Sequence, residues 1–149
     1  MSSSTPKRPL RVLLVDDDPV FRELMAFVLR AHAGAEIVGQ ASDGAEGVEL
    51  ARSLHPDVVV MDLRMPKMDG FEATRKICTA VPDARVLVVS SSTERDDIER
   101  ATRAGAAAYL PKDRVVADAA GEIARLRPPG AEGRTRYLNQ LFARRLVLG

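Results

Sequence analysis

Two short apolar runs each end on acid: Leu10-Arg-Val-Leu-Leu-Val15 leads into Asp16, Asp17 and Asp18, and Val58-Val-Val-Met61 leads into Asp62. Runs this short, rich in Val and Leu and apolar throughout, suit strands of a parallel sheet covered on both faces. If both are parallel strands of one sheet, the acids gather at one edge. Two carboxylates about 4 Å apart repel by roughly 4 kcal/mol at an effective dielectric near 20. That is a large fraction of the about 5–15 kcal/mol by which a small domain is stable. Such a cluster therefore calls for a cation among the acids and for a function that repays it.

The rest of the pattern agrees with a parallel sheet. Apolar runs fall near 10–15, 36–41, 57–61, 85–89 and 106–110, and amphipathic stretches separate them. Phe21, Leu24, Met25 and Val28 recur at helical spacing, as do Val48, Leu50, Ala51 and Leu54, then Phe71, Thr74, Ile77 and Cys78. This is strand-helix alternation, an α/β architecture. Asp18-Pro19, Asp43-Gly44 and Asp69-Gly70 read as capped helix starts or turns, Thr93 with Asp96 as a capping box, and Gly105 as a helix end. Ala106–Leu110 has poor strand propensity, but Gly105 and Pro111 bracket too few residues for a helix that buries anything. The fourth amphipathic stretch, 94–103, offers only Ile98 and Ala101 as firmly apolar positions, so it is expected to be weakly held and mobile.

The chain has 149 residues, 46% of them apolar, enough for one domain and a tail. Its net charge of +1 hides an asymmetry: residues 1–113 hold 15 Lys/Arg against 18 Asp/Glu, and residues 114–149 hold 7 Arg against 3 acids. The expected organisation is a disordered leader over 1–9, a domain over 10–127, and a linker at Pro128-Pro129-Gly130 followed by a basic amphipathic helix to 149. That helix would align Tyr137, Leu138, Leu141, Phe142 and Leu146, with Arg136 and Arg144 opposite. The apolar stretches fall far short of a membrane span, and the leader has no signal-peptide core, so a cytoplasmic location without membrane contact is expected. The lone Cys78 excludes an intrachain disulfide framework and reads as a packing residue.

In open parallel sheets ligands bind at the carboxyl ends of strands. Those ends carry Asp16 and Asp17 after the first run, Asp62 after the third, Ser90 after the fourth and Lys112 just past the fifth. Each suits the transfer of a phosphoryl group to a carboxylate. A carboxylate can act as nucleophile, but two anions must meet, so positive charge is required. Mg²⁺ fits this need through Asp17 and Asp62, with Asp16 acting largely through a coordinated water. Lys112 would pair with one phosphoryl oxygen and the Ser90 hydroxyl with another.

These residues resemble the response-regulator receiver domain, the CheY-like fold of bacterial two-component signalling. The likeness rests on Val15-Asp-Asp17, Met61-Asp62, Met65-Pro-Lys-Met-Asp-Gly70, Ser90 and Gly105-Ala-Ala-Ala-Tyr-Leu-Pro-Lys112. It covers about residues 10–126. The resemblance, not the pattern, implies a flavodoxin-like five-stranded parallel sheet in the order 2-1-3-4-5 with helices on both faces. It also implies that Asp62 accepts phosphate from a sensor histidine kinase. Asp16, Asp17, Asp62 and the backbone carbonyl of Arg64 would bind Mg²⁺, and Ser90, Tyr109 and Lys112 would form the switch. The surface of the fourth helix, fifth strand and fifth helix would change and bind a partner, and homodimers would form there or through the terminal helix.

Two departures bear on output. Asp113 follows Lys112 where many receivers have proline, as in the NarL/FixJ-like regulators of transcription; DNA binding is expected only if the chain is part of a longer protein. Arg64, two residues past the acceptor, is expected to cover the phosphoryl group and tune its lifetime. Two other readings compete with this one. One is a phosphorylation-independent pseudo-receiver, which the intact acid, hydroxyl and lysine set argues against. The other is a haloacid-dehalogenase-like phosphatase suggested by Asp16-x-Asp18, which lacks the late acid pair and cap domain. The domain itself is not expected to be an enzyme beyond acting on its own phosphate. As plainer readings, Asp18, Asp43 and Asp69 are caps, His32 and His55 solvated, and Met61, Met65 and Met68 packing residues.

Overall fold

The computed structural model describes residues 8–128. The expected terminal helix and most of the leader lie outside them. The elements alternate as β1 Leu10–Val15, α1 Pro19–Ala33, β2 Ala35–Ala41, α2 Gly44–Leu54, β3 Val58–Met61, α3 Gly70–Ala80, β4 Arg85–Ser90, α4 Arg95–Ala104, β5 Ala108–Pro111 and α5 Val115–Arg125. A single 3-10 turn, Lys112–Arg114, joins the last two. The strands form one parallel sheet in the order β2-β1-β3-β4-β5, the expected flavodoxin-like arrangement.

Alternation within each strand divides the core. Leu10, Val12, Leu14, Val58, Val60, Leu87 and Val89 pack with Met25, Val28 and Leu29 of α1 and Ala119 and Ile123 of α5. Leu13, Val15, Val59, Met61, Val86 and Val88 pack on the other face with Val48 and Ala51 of α2, Phe71 and Ile77 of α3, and Ala101 of α4. Both faces are covered, which is why these strands read as continuous apolar runs.

Three helices start as the sequence implies. Asp18 accepts from the Val20 and Phe21 amides, Asp43 from Glu46 and Asp69 from Glu72. The fourth does not. Its cap position is Glu94, which makes no side-chain cap bond, while the Glu94 amide donates to Ser92 Oγ at 3.2 Å. The expected Thr93–Asp96 box is therefore replaced by a serine turn one step earlier. The fifth strand also starts two residues later than expected. Gly105, with φ of 113°, ends α4 and directs the Ala106 amide back to the Ala101 carbonyl, while the Ala107 amide turns to the Val86 carbonyl of β4 and regular pairing begins at Ala108. Arg8, assigned to the leader, is held by Asp57 at 2.8 Å.

Candidate functional site

Register brings the strand ends level. Val15 pairs with Met61, and Met61 with Val88, so the residues that follow share one rim. The Asp62 amide donates to the Val15 carbonyl at 2.9 Å, and the Asp16 amide to the Ala41 carbonyl at 3.0 Å. Asp16 and Asp62 are buried, at 4% and 6% exposure, and Asp17 faces solvent. One carboxylate oxygen from each of Asp16, Asp17 and Asp62 lies within 4.8 Å of the others. These are hard oxygen donors at the spacing a small divalent cation needs, so the residues fit Mg²⁺.

Lys112 arrives from the far side of the sheet. Its Nζ stands 2.9 Å from Asp16 Oδ2 and 3.6 Å from Asp62 Oδ1, and 4.4 Å above the centre of the Phe21 ring. Burial works against the charged lysine. The hydrogen bond to Asp16 and the charges of Asp62 and Asp16 outweigh it, and its pKa rises. Burial, reinforced by Asp16 and Asp17, pushes the Asp62 carboxyl up to about 6 despite the opposing pull of Lys112 and the Leu63 amide.

A second group of residues adjoins the rim. Ser90 is buried and its Oγ accepts from the Ser92 amide at 3.1 Å. Tyr109 is half-buried, and its hydroxyl donates to the Ser92 carbonyl at 2.7 Å. Arg64 places a guanidinium nitrogen 2.9 Å from Asp97 Oδ2 in α4. Ser92 donates its hydroxyl to Asp97, which with the Arg64 charge holds that carboxyl below its ordinary range although burial opposes this.

The structure thus brings Asp16, Asp17, Asp62 and Lys112 together, with Ser90 and Tyr109 joined through Ser92. Sequence reasoning missed Ser92 and Asp97. Asp97 did leave a signal: it shares the inward face of α4 with Ala101 and Ala104, and an acid on a buried stripe asks for a partner.

The profile of the response regulator receiver domain matches residues 12–119. The chain is 50% identical over 106 residues to a protein-glutamate methylesterase/protein-glutamine glutaminase of Myxococcus xanthus, covering 70% of this chain and 30% of that protein. It is 44% identical over 114 residues to the transcriptional regulatory protein LiaR of Bacillus subtilis, covering 76% of this chain and 54% of LiaR. The response regulator domain of Thermotoga maritima CheB superposes with a TM-score of 0.74 at 32% identity, covering 80% of this chain and 96% of that domain.

The chain belongs to the response regulator receiver domain family, a class of signalling domains of two-component systems. This membership sets aside the phosphatase reading. The chain spans about half or less of the length of these curated relatives, which attach different outputs to a similar domain. Among the described residues, no helix is long and apolar enough to cross a membrane.

Proposed function

We propose that this domain works in the cytoplasm and accepts a phosphoryl group on Asp62 from a sensor histidine kinase. The convergence of Asp16, Asp17 and Lys112 on the Asp62 carboxylate carries the proposal. An Asp62 oxygen attacks the phosphorus, the bond from phosphorus to the donor imidazole breaks, and the imidazole leaves with the electron pair. Asp16, Asp17, Asp62 and the Arg64 carbonyl would hold Mg²⁺, which would supply the positive charge that lets two anions meet. Lys112 leaves Asp16 or Asp62 for a phosphoryl oxygen, Ser90 donates to another, and Tyr109 follows the β4–α4 loop. Arg64 screens the phosphoryl group from water. The surface of α4, β5 and α5 then changes partner, with a second copy of the chain as one candidate and transcription as the regulated output where the domain is joined to a DNA-binding one.

The test is incubation with acetyl phosphate and Mg²⁺, read by intact mass beside Asp62→Asn. A gain of one phosphoryl group in the parent alone supports Asp62 as acceptor. No gain in a folded parent favours the pseudo-receiver reading. Dephosphorylation unchanged in Arg64→Asn would remove the screening role.

A further inference from the structure

We infer that Asp97 is a positioning residue for the acceptor site: its carboxylate holds the Arg64 guanidinium against α4 in the resting protein, and a phosphoryl group on Asp62 takes Arg64 over and releases the helix. The inference rests on the reading of Asp62 as acceptor and adds the mechanical link from that residue to α4.

The two partners differ in freedom. The Asp97 side chain is 8% exposed and the Arg64 side chain 70%, so the carboxylate is fixed and the guanidinium can be re-aimed. Arg64 lies two residues beyond Asp62, and its guanidinium reaches Asp97 in α4. A phosphoryl group carries about −1.5 to −2 charge and three strong acceptor oxygens against the single charge of a carboxylate. It suits the fork of an arginine at least as well. Competition for Arg64 therefore turns towards Asp62 once the phosphoryl group is there.

The same exchange loosens α4. The helix presents only Asp97, Ala101 and Ala104 as buried residues, and its first turn has no side-chain cap. Two alanine side chains bury little apolar area. Further lateral ties are Arg100, whose guanidinium lies 4.0 Å from the centre of the Phe71 ring, and Cys78 of α3, whose thiol donates to the Gly105 carbonyl at the helix end. A buried carboxylate that loses its cation is costly, so the first turn of α4 is driven to expose Asp97 to water. Ser92 couples this to the rest of the site, because it donates to Asp97 and Ser90 and accepts from Tyr109.

Hydrogen exchange of the 94–104 segment, compared among the parent, Asp97→Asn, Arg64→Ala and the double variant, tests the link. In the resting state both single variants should exchange about two- to fivefold faster in α4, as expected for an ion pair with one exposed partner. Exchange in α2 should be unchanged. The phosphorylated parent should show the same α4 acceleration. Asp97→Asn should also lengthen the phosphoryl lifetime, because Arg64 is no longer shared, and this lengthening should vanish in the double variant.

Unchanged α4 exchange in both single variants would overturn the tether. A longer lifetime that persists without Arg64 would overturn its route. A parent that takes up no phosphoryl group would remove the acceptor reading and the exchange of partners with it, while the resting-state comparison would still decide whether the pair holds α4. Asn is isosteric with Asp, and Arg64 is largely exposed, so neither variant threatens the core.

Discussion

Lys112 Nζ stands 2.9 Å from Asp16 and 3.6 Å from Asp62, so one ammonium counters two buried carboxylates while Asp17 is left to water. Lys112→Met keeps the stem over Phe21 and deletes the charge. In metal-free protein at pH 8 it should lower stability by on the order of 1–3 kcal/mol, less than a fully buried pair because the lysine is partly exposed. Urea denaturation measures the change. Mg²⁺ should restore part of it, since the cation takes over the same charge, and equal stability of the two proteins without metal would refute the balance described.

The raised pKa of Asp62 gives a second expectation. A carboxyl that sits at about 6 in the folded protein and near 3.8 unfolded binds protons more tightly when folded. Without metal, Asp62 therefore contributes instability that is absent below pH about 4, grows through pH 6 and is complete above it. Asp62→Asn should stabilise the metal-free protein at pH 8 by on the order of 2 kcal/mol, and the gain should shrink to nothing as pH falls to about 4. Melting curves from pH 4 to 8 check both the sign and the window. A gain independent of pH would mean that charge is not the cause.

Gly70 opens α3 against the loop that carries Asp62. A Cβ there would clash with the Asp62 carbonyl oxygen and come within 2.7 Å of Leu63 Cα, both backbone atoms. Helix propensity favours alanine over glycine by about 1 kcal/mol, but here sterics decide against it. Gly70→Ala should destabilise the domain by about 2 kcal/mol or more and slow labelling by acetyl phosphate, because the loop that carries Asp62 must move. A stable variant that labels at the parental rate would show that the loop yields without cost.

The parts of the site that were legible in sequence are those set by local chemistry. Asp18, Asp43 and Asp69 cap helices through amides two or three residues on, and Asp16, Asp62 and Ser90 follow strands whose apolar runs are unmistakable. The strand order, which makes neighbours of β1, β3, β4 and β5, came from family likeness and not from the pattern. What stayed hidden depends on residues distant in sequence: Arg64 and Asp97 are 33 positions apart, and Tyr109 reaches Ser92 across 17. The start of the fifth strand is decided locally: the cap at Gly105 turns the Ala106 amide back to Ala101, and the Ala107 amide is the first to meet β4, at the Val86 carbonyl.

The opposite end of the sheet supplies a contrast. Buried Arg85 donates through Nη1 to the Leu126 carbonyl at 2.6 Å and the Arg127 carbonyl at 3.2 Å, satisfying groups at the end of α5. Arg127 in turn donates to the Arg8 carbonyl, and Arg8 pairs with Asp57, whose other oxygen accepts from the Arg11 amide. These bonds hold both ends of the described chain at the base of the domain. Arg85 stands at the start of β4 and Ser90 at its end, about 16 Å apart at the usual rise of a strand. Arg85→Met should therefore cost about 2–3 kcal/mol in urea denaturation, from carbonyls left without a donor. The fraction that remains folded should take up phosphoryl groups at the parental rate. Loss of labelling in a folded Arg85→Met protein would show that the base and the acceptor rim are coupled through β4, and would assign the arginine a role in the switch that its position does not suggest.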